Sequence, residues 1–539
     1  MLEAIPYTKA TELLTKKDKI GQLFMPSAFI NDTESEIQEI EKLIREEQVG
    51  SLCFFHSRAS AATNFEGLKP IIHNENSFIT LKKLIGRYQQ ASKYPLLIAI
   101  DAEWGLAMRI ENTPQYPYAI TLGALPDSSA DLIYDVGKDI ALDCKKAGIH
   151  WNLAPCVDIN NNPNNPVIGY RSFGENKFKV TQKALAYIKG TQDAGILTSI
   201  KHFPGHGDTD ADSHLELPLI DKTKQELLEN ELFPFQKLID EGVDSVMVGH
   251  LSVPALANGS TISSSISKEI IKGMLRNEMG YKGVVISDAL NMHAVSKNYT
   301  VKGELAWLAF DAGNDVLCFA EHIPESVQTI LAKASEPQIE ESFRRIWQLK
   351  EKVFAATLST KQSTVIDKPI NELSPNSILG NSADLNRKIA MKSLTLVKGT
   401  EKLISDFKGT NFVGIQFSKS IENQFFKNIN QNIEFTLLPS IDSVLNSGDN
   451  ILLALFPPQV KPNQNFGFTK EELIFINELV QTKNVVLYLF GNPYVLQHID
   501  VKNIKSLVLV YQDFDVFQEV AAEHFLGNFT AQGKLSVSI

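Results

Sequence analysis

The sequence predicts an α/β protein in which a (β/α)8 barrel is followed by a smaller layered α/β sandwich domain. The chain has 539 residues, more than one hydrophobic core normally holds. Eight short apolar runs alternate with longer amphipathic stretches over the first two-thirds, and a second alternation follows a polar interval. This alternation is typical of parallel sheets covered by helices. A doubly wound open sheet remains the alternative for the first part.

The eight runs of the first part are short and strand-like. They are Gly21–Met25, Ser51–Phe55, Leu96–Ile100, His150–Ala154, Leu197–Ile200, Ser245–Val248, Val284–Ser287 and Asp315–Phe319. Two helical patterns between them, Lys224–Glu241 and Ser267–Met279, begin near an Asp or Ser that can cap a helix. The barrel domain, residues 1–358, is therefore the first predicted domain.

A polar interval separates the two domains. Residues 359–384 contain Pro369 and Pro375, which predicts a linker. Six further strand-like runs follow: Leu394–Val397, Phe412–Phe417, Phe435–Leu438, Ile451–Phe456, Val485–Phe490 and Leu507–Tyr511. Helical patterns lie at Lys470–Thr482 and Val516–Phe525. The second domain is predicted to span residues 385–539.

Composition limits the partners of the chain. The net charge of −11 argues against a surface that binds nucleic acid. No stretch approaches about 18 uncharged apolar residues, so no membrane span is predicted. The four cysteines are far apart and form no CxxC pair, which suggests neither a zinc site nor a disulfide framework. We expect a cytoplasmic protein, or a periplasmic or exported one if a leader has been trimmed from the N-terminus.

Polar residues follow several of the predicted strands at their C-terminal ends. They are Asp101, Asp158, Lys201, His202, His250 and Asp288. In a barrel these ends converge on one face, where catalytic groups collect. The sequence therefore predicts an active site at this face.

Two segments point to glycoside hydrolysis. Asp288 ends a β-branched strand, which would hold a carboxylate rigidly for attack on an anomeric carbon. Residues 201–214 form a loop dense in titratable groups, and within it Asp212 and His214 are suited to act as an acid/base couple. A histidine can replace the usual second carboxylate when a neighbouring carboxylate orients it.

Other chemistries remain as alternatives. A metal-dependent barrel hydrolase would use His202, His206, His250 and an aspartate. A catalytically silent carbohydrate-binding protein would keep the same pocket. The alternating aspartates of residues 208–212 resemble a calcium loop, but its glycine and its final glutamate are missing.

The motif from Lys201 to His214, together with the segment from Ile286 to Met292, resembles glycoside hydrolase family 3. The similarity is closest to the β-N-acetylglucosaminidase (NagZ-like) branch, and it implies a barrel followed by a C-terminal second domain. It implies that Asp288 is the nucleophile and that His214 is the acid/base group oriented by Asp212. It also implies a set of substrate-binding residues: Asp101, Arg109, Arg171, Lys201, His202 and Met292.

The resemblance implies a retaining exo-β-N-acetylglucosaminidase, of the β-N-acetylhexosaminidase type. Its substrates would be peptidoglycan-derived or chitin-type oligosaccharides, including muropeptides of peptidoglycan recycling, and no cofactor or metal is implied. Phosphorolysis of the glycosyl-enzyme and a family 3 β-glucosidase-type activity stay open. One departure from the family pattern is Trp104 in the segment Asp101–Leu106, which we expect to pack against the barrel rim.

Overall fold

A computed structural model describes residues 5–56, 73–209, 217–359, 379–417, 423–438 and 448–539. The chain forms two compact units. The first comprises residues 1–115, 136–158 and 184–381, and the second comprises residues 116–135, 159–183 and 382–539. Two segments that the sequence assigned to the barrel domain, 116–135 and 159–183, thus group with the second unit. The predicted linker lies largely outside the described residues, and its boundaries stay a prediction.

The first unit contains a closed parallel barrel. Its strands among the described residues are β1 (Phe24–Met25), β2 (Ser27–Phe29), β3 (Ser51–Phe55), β4 (Leu97–Ile100), β5 (Trp151–Asn152), β6 (Leu197–Phe203), β7 (Ser245–Val248), β8 (Val284–Ser287) and β9 (Leu317–Cys318). Strands β2 to β8 pair in sequence order, all parallel.

Closure of the barrel occurs at its first and last strands. β1 pairs with β9, and an isolated bridge joins Ile286 of β8 to Val316, the residue before β9. Because only Pro26 separates β1 from β2, the two act as one strand position. The predicted eight-stranded barrel is confirmed.

The barrel strands are apolar because both of their faces are covered. Every residue of β4, β7 and β8 is buried. Parallel strands covered by helices outside and by side chains inside carry such continuous apolar runs rather than an alternating pattern. This is why short apolar runs located the barrel in the sequence.

Helices surround these strands. Those of the first unit are Tyr7–Leu13, Lys16–Gly21, Glu34–Glu47, Ser77–Ala91, Leu106–Met108, Lys224–Glu229, Leu232–Asp240, Pro254–Leu256, Ser264–Ile266, Glu269–Glu278, His293–Ser296, Glu304–Ala312, Ile323–Lys333 and Glu336–Ser359. Two more, Ala130–Ala147 and Lys177–Asp193, include residues of both units. No helix in the described ranges has the length and apolar character needed to cross a bilayer.

One predicted helix is broken in the structure. The pattern Lys224–Glu241 forms two helices, and Asn230 between them has φ −123° and ψ −79°. Pro234 explains the break, since it has no N–H to donate to the Asn230 carbonyl four residues earlier and its ring crowds that oxygen. The first helix begins at a capping box of Thr223 and Glu226. The second pattern, Ser267–Met279, forms a π-helix, Glu269–Glu278.

The second unit is a layered α/β domain. Its strands are β10 (Thr395–Lys398), β11 (Val413–Phe417), β12 (Thr436–Leu437), β13 (Asn450–Leu455), β14 (Asn484–Leu489) and β15 (Ser506–Leu509), in the spatial order β10-β15-β14-β13-β11-β12. Only β10 is antiparallel among these described strands. Its helices are Ala119–Gly123, Asp127–Ser129, Gly169–Arg171, Ala383–Ser393, Glu401–Lys408, Gln424–Asn430, Asn463–Phe466, Lys470–Thr482, Pro493–His498 and Asp515–Leu526. The six predicted strands are confirmed.

Candidate active site

A cluster of buried charges lies where β4 and β6 end. Lys201 Nζ donates to Asp101 Oδ1 at 2.9 Å, and Arg109 Nη2 donates to Asp101 Oδ2 at 2.9 Å. Lys201 also pairs with Glu103 Oε1 at 2.8 Å and is only 1% exposed. Three predicted substrate-binding residues, Asp101, Arg109 and Lys201, are therefore in direct contact.

Electrostatics keep Asp101 ionised. Burial by itself would raise the pKa of this carboxyl, but Lys201 and Arg109 outweigh burial and hold the pKa of Asp101 well below its usual range. Both carboxylate oxygens already accept one hydrogen bond, and each oxygen has a second lone pair. The carboxylate can therefore accept a further hydrogen bond from a sugar hydroxyl.

Side chains from the neighbouring strand β5 and from the helix Lys177–Asp193 form hydrogen bonds with the backbone that follows Asp101. Asn152 in β5 brackets Ala102, since its Oδ1 accepts from the Ala102 N–H at 3.0 Å and its Nδ2 donates to the Ala102 carbonyl at 3.2 Å. The Tyr187 hydroxyl lies 3.3 Å from the carbonyls of Ala102 and Glu103. These contacts fix the segment that presents Asp101 and Glu103 to Lys201.

Asp158 anchors the start of the Lys201–His214 motif. Its carboxylate accepts from the His202 backbone N–H at 3.1 Å and from the His206 backbone N–H at 2.7 Å. It also lies 2.8 Å from His202 Nδ1. Burial acts to raise the pKa of Asp158, but these partners lower it far below the usual value. Because the carboxylate is ionised and can only accept, His202 Nδ1 carries the proton and donates.

The backbone conformation and surroundings of position 205 require glycine. Its φ is +123°, and a Cβ at this position would come within 2.9 Å of the Glu231 Cβ. Any other residue would be strained at this φ and would also press on Glu231. Glycine is therefore required at this position of the loop.

Asp288 directly follows β8. Its backbone N–H donates to the Val248 carbonyl at 2.9 Å, and its Oδ1 accepts from the Ala289 N–H at 2.8 Å. The first contact ties the residue to the adjacent strand, and the second fixes the rotation of the carboxylate.

Asp101 and Asp288 lie at the same end of the barrel, because each directly follows a parallel strand, β4 and β8 respectively. The thiol of Cys318 in β9 is buried, and its pKa is raised well above the usual value, first by Cys53 and by burial, then by both carboxylates. The predicted nucleophile and the predicted sugar-binding carboxylate therefore lie at one end of the barrel, as the strand-end argument requires.

His250, which follows β7, contacts Ala289, the residue after the predicted nucleophile Asp288. Its Nε2 lies 2.9 Å from the Ala289 carbonyl, and its Nδ1 lies 2.8 Å from Ser265 Oγ. A carbonyl can only accept, so Nε2 carries the proton. This fully buried ring holds the peptide that follows Asp288.

The other predicted site residues are Asp212, His214, Arg171 and Met292. Asp212 and His214 lie outside the described residues, so their predicted roles are untested. Arg171 lies in the second unit, where its Nη1 donates to the Val167 carbonyl at 3.3 Å. Met292 precedes a short helix and is 3% exposed. Trp104 is half-buried, and its expected packing stays a prediction.

The metal alternative names His202, His206, His250 and an aspartate as ligands. Within the described residues, three ligand-capable groups lie within 4.8 Å of one another only at Cys156, Asp158 and His202. His206 Nδ1 lies near Thr209 Oγ1, and His250 contacts Ser265 Oγ and the Ala289 carbonyl. Of the three histidines, His202 alone belongs to this group of described residues.

Sequence reasoning missed two functional contacts. Glu103 was not selected, although it is the second carboxylate on Lys201. Asp158 was noted only as a strand-end residue, although it holds His202 and His206. The Glu103 position within the Asp101–Leu106 segment was a usable signal, whereas the contact from Asp158 crosses 44 residues of sequence.

Comparison with known proteins gives concordant matches. Residues 15–349 match the glycosyl hydrolase family 3 N-terminal domain. The chain is 31% identical over 388 residues to beta-hexosaminidase A of Pseudoalteromonas piscicida, covering 67% of this chain and 61% of that protein. It is 35% identical over 250 residues to a beta-hexosaminidase of Neisseria meningitidis serogroup C (strain 053442), covering 45% and 68% respectively.

A solved structure is similar over nearly the whole chain. It is a glycoside hydrolase family 3 beta-N-acetylglucosaminidase from Paenibacillus sp. str. FPU-7, with a TM-score of 0.76 and 26% identity, covering 97% of this chain and 99% of that chain. The alignment to the P. piscicida protein, in contrast, spans less than two-thirds of that protein's length. Because the family match covers most of the chain, this protein belongs to glycoside hydrolase family 3.

Proposed function

We propose that this chain is a retaining exo-β-N-acetylglucosaminidase that releases terminal β-linked N-acetylglucosamine from peptidoglycan-derived or chitin-type oligosaccharides. The observation that carries the proposal is that the Asp288 carboxylate and the Asp101–Lys201–Arg109 cluster lie at the same end of one barrel. The beta-hexosaminidase names of the relatives and the beta-N-acetylglucosaminidase structure support the choice of sugar.

The charge cluster would hold the terminal sugar. Asp101 accepts hydrogen bonds from sugar hydroxyls through its remaining lone pairs, while Lys201 donates to hydroxyl oxygens. Because Lys201 is buried and the two groups are already paired, they need little rearrangement when the sugar binds. Binding energy from this part of the sugar orients the anomeric carbon toward Asp288.

In the first chemical step Asp288 attacks the anomeric carbon. The bond between that carbon and the glycosidic oxygen breaks, and His214, oriented by Asp212, gives its proton to the leaving oxygen. The product is a glycosyl ester on Asp288 and a free aglycone. The hydrogen bond from the Ala289 N–H to Asp288 Oδ1 limits rotation of the attacking carboxylate.

In the second step water attacks the same carbon and gives its proton to His214. The ester bond breaks, and Asp288 leaves as a carboxylate. The Ala289 N–H stabilises the returning charge on Oδ1. Two inversions give net retention of the β configuration.

The substrate beyond the terminal sugar and the compartment are further proposals. A muropeptide of peptidoglycan recycling and a chitin oligosaccharide both present a terminal β-linked N-acetylglucosamine. Product release from each by the purified protein distinguishes them. A cytoplasmic location is proposed with the recycling substrate and is tested by cell fractionation.

The test compares release of p-nitrophenol from the β-N-acetylglucosaminide and from the β-glucoside. Wild type should turn over the acetamido sugar, Asp288→Ala should lose that activity, and azide should restore turnover of Asp288→Ala as a glycosyl azide. Asp221→Ala removes an exposed aspartate and serves as the matched control. His214→Ala should keep activity on a dinitrophenyl substrate, since a good leaving group needs no proton. Full activity in Asp288→Ala, or activity on the glucoside alone, would contradict the proposal.

A further inference from the structure

A basic cleft lies at the end of the barrel opposite the candidate active site. Its cationic lining comes from five side chains: Lys272, Arg276, Lys282, Arg344 and Arg345. The cleft has a volume of about 600 Å³, within the range of small-molecule sites. Tyr281 and Lys282 line it just before β8, whereas Asp288 follows β8. The two sites are therefore separated by the length of that strand, roughly 13 Å.

Two of the cations are neutralised by acids. Arg276 Nη2 donates to Asp315 Oδ2 at 2.5 Å, and Arg345 Nη1 donates to Asp315 Oδ1 at 3.0 Å. Arg345 also pairs with Glu341. Ser342 Oγ and the Val285 N–H complete the partners of Asp315, which is fully buried. Asp315 thus fixes the positions of the Arg276 and Arg345 guanidinium groups in this part of the cleft.

The remaining cations have no carboxylate at ion-pair distance. In the described part of the chain, Lys272, Lys282 and Arg344 make no salt bridge within 4.0 Å. Lys272 is half-buried, and burial lowers its pKa, with smaller effects from the charges of Asp311, Lys268 and Glu341. An excess of positive charge is thus concentrated here, in a chain whose net charge is −11.

Two further features point to a ligand. Arg345 Nε is buried and makes no hydrogen bond, which leaves a charged donor unsatisfied at the cleft. Lys272, Arg276 and Asn277 come from the π-helix Glu269–Glu278, and π-helical turns occur frequently at functional sites. A buried charged donor without a partner is costly.

We propose that this cleft binds a small phosphorylated molecule at a site separate from the active site. Lysine ammonium and arginine guanidinium groups are the side chains that recognise phosphate oxygens. The cleft is larger than one phosphate, and the amides of Asn277, Gln338 and Gln348 in its lining offer hydrogen bonds to hydroxyls of an attached group. The inference is independent of the proposed glycosidase function.

The test is calorimetric titration of the full chain with glucose 6-phosphate and with inorganic phosphate, with potassium chloride as the ionic-strength control. Wild type should bind glucose 6-phosphate with a Kd of about 1 mM or tighter. Lys272→Met with Arg344→Met should weaken binding about ten-fold or more, and Lys237→Met, an exposed lysine elsewhere in the barrel unit, should not change it. Equal affinity for inorganic phosphate would assign recognition to the phosphate group alone.

Thermal melting shows whether the double variant is folded. If it is not, Lys282→Met replaces it, since Lys282 is exposed and its loss should weaken binding without unfolding the barrel. Absence of binding to both phosphate compounds would overturn the proposal. Undiminished binding in the folded cleft variant would also overturn it, because the anion would then bind elsewhere.

Discussion

Replacement of Lys201 by methionine tests the buried charge cluster most sharply. Lys201 is 1% exposed and pairs with Asp101 at 2.9 Å and with Glu103 at 2.8 Å. The methionine keeps most of the side-chain volume and removes the charge. Asp101 retains Arg109, whereas Glu103 loses its paired cation.

Lys201→Met should destabilise the fold because it leaves the carboxylates of Asp101 and Glu103 without this cationic partner. Removing one partner of a buried ion pair typically destabilises a protein by about 3–5 kcal/mol. At about 2 °C per kcal/mol for a large domain, Tm should fall by about 6–10 °C. In wild type the depressed pKa of Asp101 stabilises the fold above the unfolded-state pKa, and this contribution is lost only as pH falls through the folded pKa.

In Lys201→Met the pKa of Asp101 should rise, because burial opposes its charge without Lys201. The loss of stability should therefore be larger at pH 8 than at pH 5, where the carboxyls take up protons more readily. Thermal melting at both pH values measures this, with Lys237→Met as the control. Adding Glu103→Gln to Lys201→Met should recover part of the loss. A Tm within about 1 °C of wild type at both pH values would refute the reasoning.

Three further predictions concern other buried groups. Burial lowers the pKa of Lys350 to about 7, so between pH 7 and the unfolded-state pKa of about 10.4 the unfolded chain binds more protons and stability rises with pH. Urea unfolding should therefore show that Lys350→Met raises the free energy of unfolding above that of wild type by more at pH 7 than at pH 9. An equal increase at the two pH values would be inconsistent with a buried neutral amine. Gly205→Ala should cost about 1–3 kcal/mol in the same assay, whereas Gly242→Ala, with φ +81° and open space around it, should cost about 1 kcal/mol. His250→Gln should keep a donor for the Ala289 carbonyl and should retain most of the wild-type kcat. His250→Leu should lower kcat about 10- to 100-fold at similar KM. An equal loss of kcat in both variants would show that the hydrogen bond is not the cause.

The fold was predictable where local pattern decides structure. Apolar runs marked every described barrel strand except β2 (Ser27–Phe29), because strands buried on both faces are mostly apolar. The helix Lys470–Thr482 was predicted with its observed ends, and Thr469 and Glu472 form a capping box there. The break at Asn230 was missed because apolar periodicity continues across it, and Pro234 acts on a carbonyl four residues earlier.

The candidate site was predictable only in part. Strand-end positions indicated Asp101, Lys201 and Asp288 because parallel strands bring their ends to one face. The pairing of Lys201 with Glu103 and the hold of Asp158 on His202 connect distant parts of the chain, and spacing carries no information about such contacts. The grouping of residues 116–135 and 159–183 with the second unit also depends on tertiary packing that local pattern does not encode.

The central claim is that Asp288 forms a covalent bond to the sugar. The most direct measurement is mass spectrometry of wild type and Asp288→Asn after reaction with a slow fluorinated N-acetylglucosaminyl substrate, followed by peptide mapping. A sugar adduct on the peptide that contains Asp288, absent from Asp288→Asn, is the predicted result. An adduct on another residue, or an inverted product with no adduct at all, would contradict the account.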